Sequence, residues 1–295
     1  MSAVPRARIG ARPLSVGVVG AGRVGAVLGA ALVAAGHHVV AAAAVSAASR
    51  DRAHRLLPAA AILPADDVAR AAGDLLLLAV PDDALGSVVA GLAATGALRP
   101  GQMVAHTSGA HGLAVLGDVT GMALHPAMTF TGADSDLDRL PGIAWGVTTT
   151  DRAFATRLVA DLGGVPEWIA EDARPLYHAA LAHGANHLVT LVNEAADLLR
   201  AAGVDRPGRV LSPLLQAALD NALRLGDAAL TGPVSRGDAG TVGKHLERLP
   251  SEAVPAYLAL ARRTADRAIA AGRLRPQDAA LLMDVLSRAT VGSPS

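Results

Sequence analysis

No cysteine occurs among the 295 residues. That excludes disulfides, thiolate catalysis and cysteine-based zinc sites, and it fits a reducing, cytoplasmic compartment. Aromatic side chains are only 2% of the chain, so the core has to be built from Ala, Val and Leu, which suits close-packed helices and parallel strands. Lys244 is the sole lysine, so a mechanism that needs an ammonium group has one candidate. Charged residues make up 18% and cancel to a formal net charge of zero. With no basic stripe and no acidic tail, the expectation is a small-molecule partner, not nucleic acid.

Two stretches imitate membrane segments. The first 22 residues set arginines before a short apolar run, as a signal peptide does, but no cleavage site follows and the run passes straight into a glycine fingerprint. Residues 24–49 contain no Asp, Glu, Lys or Arg, yet Gly36-His37-His38 breaks them and they are rich in Ala and Gly. A helix followed by a buried strand explains them better than a membrane span. Residues 1–13 read as a flexible basic tail. At 52% hydrophobic, the chain has enough apolar material for a sizeable core.

What is present falls into two regions. From residue 14 to about 171, short β-branched or apolar runs alternate with helical ones: SVGVVG (15–20), HVVAAAA (38–44), a weak AAILP (60–64), DLLLLAV (74–80), then units at 101–109, 121–130, 142–149 and 163–170. That alternation predicts an α/β Rossmann domain, a doubly wound parallel sheet. From 172 to about 290 no strand pattern returns. Helices are expected over 175–202, 207–225, 235–248, 252–271 and 276–289, an all-helical C-terminal domain. Asp51 is expected to cap a helix over 51–57.

Gly20-Ala21-Gly22-Arg23-Val24-Gly25 follows the first strand and opens a helix. In that context the G-x-G-x-x-G spacing reads as a dinucleotide cradle. Gly20 serves the tight turn, Gly22 the approach of a pyrophosphate, and Gly25 helix-on-strand packing, with the helix N-terminus facing the phosphates. An NAD site usually ends the second strand with Asp or Glu. Here that end holds Val45 and Ser46, then Ser49, Arg50 and Arg52. Hydroxyls and guanidinium groups suit a 2′-phosphate, so NADP (as NADPH) is the expected cofactor. Val80 and Pro81 close the central strand beside the same crevice, where Asp82 or Asp83 is expected to cap a helix.

Two loops carry hydroxyls and imidazoles to the carboxyl ends of later strands: His106-Thr107-Ser108-Gly109 and His125-Pro126-Ala127-Met128-Thr129-Phe130. Turn chemistry accounts for them equally well. As site residues, His125 would be an acid or polarising donor and Ser108 a donor to a substrate carboxylate; His106 reads as structural. The helix that follows holds Tyr177, His178, His183, Asn186, His187, Thr190 and Asn193 with no charged residue from Pro175 to Asn193, which predicts burial. Ala179, Ala182, His183, Asn186, Thr190 and Asn193 would share a face, with Asn186 as the substrate contact and His178 on its flank. His187 and Asn193 read as helix-to-helix bonders. No third ligand completes the i, i+4 pair His183 and His187, so no metal is expected. Arg236, in SRGD, either binds a substrate acid or ties helices together. So long a charge-poor helix also predicts a homodimer through the C-terminal helices.

The ordered set GAGRVG, AVPDDAL, HTSGA, LHPAMTF, YHAALAHGANHLV and LTGPVSRGD resembles a bacterial family that joins a Rossmann-like domain to a helical domain of unknown function. The likeness runs from about residue 15 to 250. That family is related to 6-phosphogluconate dehydrogenase, pyrroline-5-carboxylate reductase and prephenate dehydrogenase, and some members resemble an alternative ketopantoate reductase of pantothenate biosynthesis. The resemblance implies a 6-phosphogluconate dehydrogenase-like C-terminal domain and an NADPH-dependent reductase of a small 2-keto acid, ketopantoate first. A pyrroline-5-carboxylate reductase-like or prephenate dehydrogenase-like oxidoreductase, or a non-catalytic NADP-binding protein, are the alternatives. Related dehydrogenases carry a lysine four residues before the helical asparagine; here that position is Ala182. The acid then falls to His125, whose His-Pro pair resembles that of prephenate dehydrogenases, or to His178.

Overall fold

A computed structural model describes residues 12–291. The expected basic tail lies outside these residues except at its end, where Arg12 is not loose: it forks onto the Asp74 carboxylate, with one bond at 3.2 Å. The chain divides into two compact units between Gly184 and Ala185.

The first unit is an eight-stranded sheet in the order β3-β2-β1-β4-β5-β6-β7-β8. Its strands are β1 (Ser15–Val19), β2 (His38–Ala43), β3 (Ala61–Ile62), β4 (Leu75–Leu78), β5 (Met103–His106), β6 (Gly121–Pro126), β7 (Ala144–Thr149) and β8 (Val165–Trp168). Helices α1 (Arg23–Ala34), α2 (Ala47–Leu56), α3 (Ala65–Ala71), α4 (Asp82–Ala94) and α5 (Arg152–Asp161) connect them. The four leucines of β4 are all buried, as expected of a central strand covered on both faces; each contributes about 1.5–3 kcal/mol by leaving water. Order reverses at β1, which pairs with β2 on one side and β4 on the other. Ligands of open α/β sheets bind at such a switch point, outside the carboxyl ends of the strands.

The sheet departs from the fully parallel expectation once, where β7 runs antiparallel to β6 and sets Gly146 opposite His125. No crossover helix separates the two strands, so the chain simply turns back. Its return loop is organised by Asp136, fully buried, which accepts from the Thr131 and Gly132 N–H groups at 2.8 and 2.7 Å and from the Thr131 hydroxyl at 3.0 Å. Burial raises that carboxyl, but these bonds outweigh it and hold the group below the usual range.

Helix α2 starts before Asp51. Ser46 is its N-cap, accepting from Ser49 N–H at 3.1 Å, because a hydroxyl at the strand end reaches the free amides first. Likewise Pro81 holds the cap position of α4, with Asp82 and Asp83 in its first turn.

The stretch expected as one helix over 175–202 is three pieces: α6 (Arg174–Leu181), a π-turn over Ala182–Asn186, and α7 (His187–Ala201). A π-turn takes an extra residue into its hydrogen-bonded ring, so the three-four-seven spacing from Ala179 to Asn193 does not define one continuous face. Helix α6 belongs with the sheet unit, later than the boundary read from sequence.

The second unit holds α7, α8 (Pro207–Leu225), α9 (Ala239–Arg248), α10 (Val254–Ala270) and α11 (Pro276–Val291). Val242, Leu258, Ala265, Leu282 and Leu286 centre its core. The expected burial of the charge-poor helix is corrected: α7 has no buried residue, and α8 buries only Pro207 and Leu211. Absence of charge marks a face that water does not favour, not a face that this chain covers. No described helix is long and apolar enough to cross a membrane.

Candidate active site

The cradle is made by what its glycines lack. Gly20 has φ +91°, and a Cβ there would lie 2.5 Å from the Ala79 carbonyl oxygen; on Gly25 it would lie 2.2 Å from Gly20 O. Both force the loop close to β4. On Gly22 the nearest atom would be 3.9 Å away, so this position is open rather than packed. The first α1 bond runs from Ala26 N–H to Gly22 O at 3.2 Å, which leaves the Arg23, Val24 and Gly25 amides ahead of the helical ladder, as an anion-binding N-terminus requires. Val80 packs on Gly20. These residues fit a dinucleotide pyrophosphate. At the end of β2, Ser46 and Ser49 bond each other at 3.0 Å, and Arg50 donates to Val45 O. Arg52 instead lies against Gly132, beside Arg23.

Next along the carboxyl edge come three rings. His125, at the end of β6, sits edge-on to Tyr177 (centroids 5.6 Å, 87°) and to His178 (6.1 Å, 71°). His125 Nδ1 and the Tyr177 hydroxyl are 3.0 Å apart. Two bare backbones make the room. A Cβ on Gly109 would lie 2.7 Å from the His178 ring and 3.1 Å from His125 Nε2, and one on Gly146 would lie 2.5 Å from the Tyr177 hydroxyl oxygen.

Beneath the rings lies Arg174, fully buried. Its guanidinium donates to His111 O at 2.8 Å, Gly146 O at 3.0 Å and Ser108 O at 3.0 Å. One side chain thereby ties the 106–112 loop, β7 and the start of α6 together. Glu171 completes the clamp by accepting from Leu113 N–H at 2.7 Å and Ala114 N–H at 3.0 Å. Among the described residues no carboxylate is in ion-pair range of Arg174; carbonyl oxygens bond its guanidinium, and the Glu171 and Asp82 carboxylates act on it from farther away. Burial first, then that charge and His178, push His125 down to about 4. His106 also falls to about 4, mainly through burial. Both imidazoles are therefore neutral at pH 7. His106 donates Nε2–H to Gly112 O at 2.8 Å while its buried Nδ1 has no partner.

The structure thus gathers Ser108, His125 and His178 in one cluster. Ser108 is buried, and its Oγ accepts from the Ala110 and His111 amides at 3.2 and 3.1 Å, so it also organises its own loop. Asn186 and Arg236 belong to the second unit. Asn186 is exposed at the end of the π-turn, and Arg236 is exposed in a short 3-10 turn before α9, which Asp238 caps. No cluster of three or more His, Asp or Glu suited to a metal occurs among the described residues. Sequence reasoning missed Arg174, Tyr177, Gly146 and Glu171. Arg174 did leave a signal: a cation in the first helical turn, just before Pro175, opposes the helix dipole and calls for a specific partner.

The profile of a Rossmann-like domain matches residues 3–129, and that of a domain of unknown function, DUF2520, matches residues 143–264. No curated protein matches the chain. Among solved structures, a Bacteroides fragilis protein assigned as an NADP oxidoreductase is similar at a TM-score of 0.73 and 22% identity, over 86% of this chain and 98% of that one. A pyrroline-5-carboxylate reductase from Streptococcus pyogenes is similar at 0.60 and 15%, over 87% and 98%. A reductive aminase from Aspergillus terreus, in complex with NADPH and ethyl-5-oxohexanoate, is similar at 0.55 and 17%, over 95% and 94%. At these identities the shared property is the fold. The two profile matches fall in the order that the motifs anticipate, Rossmann-like first and DUF2520 after it.

Proposed function

We propose that the protein is an NADPH-dependent reductase of a small 2-keto acid, with ketopantoate as the first candidate. One observation carries the reading: a neutral imidazole, His125, and a buried guanidinium bonded to carbonyls and to no carboxylate, Arg174, stand side by side on the strand edge that also carries the glycine cradle. A fixed positive charge in a site of low polarity favours an anionic substrate and the negative charge that develops on a carbonyl oxygen. NADPH, when bound, supplies the hydride. Gly20, Gly22, Arg23, Val24 and Gly25 hold its pyrophosphate, Val80 and Pro81 line the crevice, and Ser46, Ser49 and Arg50 take the 2′-phosphate. The neutral His125 donates a hydrogen bond to the oxygen on which charge develops, with His178 at its edge, and the alkoxide takes its proton from solvent water. Ser108, whose oxygen already accepts two amides, offers its hydroxyl proton to the substrate carboxylate.

The fold neighbours include enzymes named for imine chemistry, which makes imine reduction the second reading. It is the weaker one, since a cationic iminium would sit beside the buried positive charge of Arg174. Purified protein is mixed with ketopantoate and NADPH, then NADH, while absorbance of the reduced nicotinamide is followed. Fast loss with NADPH and slow loss with NADH is the expected result. NADPH binding without turnover on any keto acid would sink the substrate reading, and turnover on cyclic imines alone would favour the second. Asn186→Ala and Arg236→Ala, each raising KM for the keto acid, test their part in carboxylate binding.

The protein also acts, in this reading, as a homodimer through its C-terminal helices. Val189, Val210, Leu214, Leu219 and Leu223 are 46–80% exposed in the single chain, a concentration of apolar surface that a soluble monomer rarely leaves to water. Light scattering at micromolar concentration should give twice the monomer mass of 29.6 kDa; a monomer there ends the idea.

A further inference from the structure

A neutral histidine that donates a hydrogen bond from one nitrogen carries a lone pair on the other, which a buried site must satisfy with a donor. The geometry points to Tyr177 as the positioning residue that enforces this on His125: its hydroxyl donates to Nδ1, which leaves the proton of the neutral ring on Nε2, the nitrogen beside Gly109. The assignment of a tautomer to His125 stands on its contact with Tyr177; its catalytic meaning rests on the keto-acid reading above.

A phenol has one proton and two lone pairs. The Tyr177 oxygen lies against the Gly146 backbone, and burial raises the hydroxyl, so it keeps its proton. That single proton goes to an acceptor, and the acceptor at 3.0 Å is His125 Nδ1. Arg174 strengthens the arrangement. Its guanidinium carbon is 5.8 Å from the centre of the Tyr177 ring, close enough to polarise the O–H toward donation. The same charge makes a protonated His125 unfavourable. The charged or titratable groups acting on His125 are Arg174, His178 and Asp82, with Tyr177 in direct contact, and none of them is a carboxylate bonded to the ring. A tyrosine thus does here what an aspartate does in a Ser-His-Asp triad, fixing the tautomer, but without adding negative charge. The ring stays neutral and a donor.

The geometry also explains Gly146. Any side chain there would occupy the position of the phenolic oxygen. Because β7 returns antiparallel to β6, Gly146 faces His125 across the ladder, so the strand that carries the glycine also sets the spacing of the pair.

The test is imidazole nitrogen NMR on the full-length, histidine-labelled protein, with His125→Asn to assign the signals. Wild type should give a protonated Nε2 and an unprotonated, hydrogen-bonded Nδ1 for His125. Tyr177→Phe keeps the ring in its slot and removes the hydroxyl. It should let the tautomer redistribute, and it should lower kcat at least about tenfold with KM little changed. A wild-type His125 protonated at Nδ1 overturns the proposal, as does a Tyr177→Phe protein with an unchanged tautomer. If no substrate is turned over, the keto-acid reading fails while the nitrogen spectrum still decides the tautomer.

Discussion

The chain has two tyrosines, and each hydrogen-bonds a histidine in nearly the same way. Tyr177 and His125 are 3.0 Å apart with rings at 87°; Tyr257 and His245 are 2.9 Å apart with rings at 88°. Their surroundings differ completely. The first pair stands over a buried guanidinium, between two glycines, at the carboxyl edge of a sheet. The second joins α9 to α10 at an exposed position beside an apolar groove lined by Leu191, Leu198, Leu249 and Leu260. A Tyr–His bond is therefore not in itself a sign of chemistry. What distinguishes the first pair is a neighbouring charge that cannot be neutralised and a backbone shaped around the rings.

Arg174→Met should have the largest effect, because it strips that charge from beneath the pair. The Ser108, His111 and Gly146 carbonyls would each lose a donor. Removing one member of a buried charged network typically costs about 3–5 kcal/mol. Urea unfolding followed by far-ultraviolet circular dichroism should show a midpoint lowered accordingly, with turnover lost. A midpoint within experimental error of wild type would mean that the clamp is not what joins the loop, β7 and α6.

Gly146→Ala comes next. The added methyl meets the Tyr177 hydroxyl oxygen at 2.5 Å, so the ring has to move and the pair breaks. A fall in kcat of at least about tenfold is expected, with cofactor affinity unchanged because the cradle lies on other strands. If fluorescence titration showed NADPH binding lost as well, the two parts of the site would be less independent than their strands suggest.

How much of this was legible in the sequence differs along the strand edge. The cradle was readable because a glycine's effect is local: the turn at Gly20 and the contact of Gly25 with Gly20 O follow from spacing within six residues. His125 was readable as a candidate for the same reason, since a strand end places it. Its partner was not. Tyr177 arrives 52 residues later, after an antiparallel return that the strand pattern alone reads as another parallel unit. Arg174 stands one residue before the charge-free stretch, and its carbonyl partners lie 28 to 66 residues away along the chain. Helix α7 failed differently: its composition signals a covered face, and no pattern within one chain says what covers it.

Acid should separate the two regions more gently. His106 and His125 have folded-state values near 4, against an ordinary value of 6.5. Between those limits the unfolded chain binds more protons than the folded one, so stability rises with pH across the window. Their contribution is complete above about 6.5 and is progressively lost as pH falls through 4. Urea midpoints measured from pH 7 to 4 should decline, and His106→Gln should flatten the decline. An equal slope in that variant would assign the loss to carboxylates instead. Turnover, by the same logic, should show no break near 6.5.

Tyr257→Phe should do least, and it is the control on which the comparison rests. It removes one hydrogen bond at an exposed pair, and a bond of that kind contributes about 0.5–1.5 kcal/mol. The ring itself, half-buried against the core of the second unit, keeps its packing. Among the described residues no buried guanidinium stands behind it, and no glycine is cleared for it. The urea midpoint should shift slightly and kcat should stay within about twofold of wild type, where Tyr177→Phe loses at least about tenfold. Were Tyr257→Phe to lower kcat as far as Tyr177→Phe does, the surroundings of the two pairs would not be what separates them, and the chemistry assigned to the sheet edge would have to be shared with the helical unit.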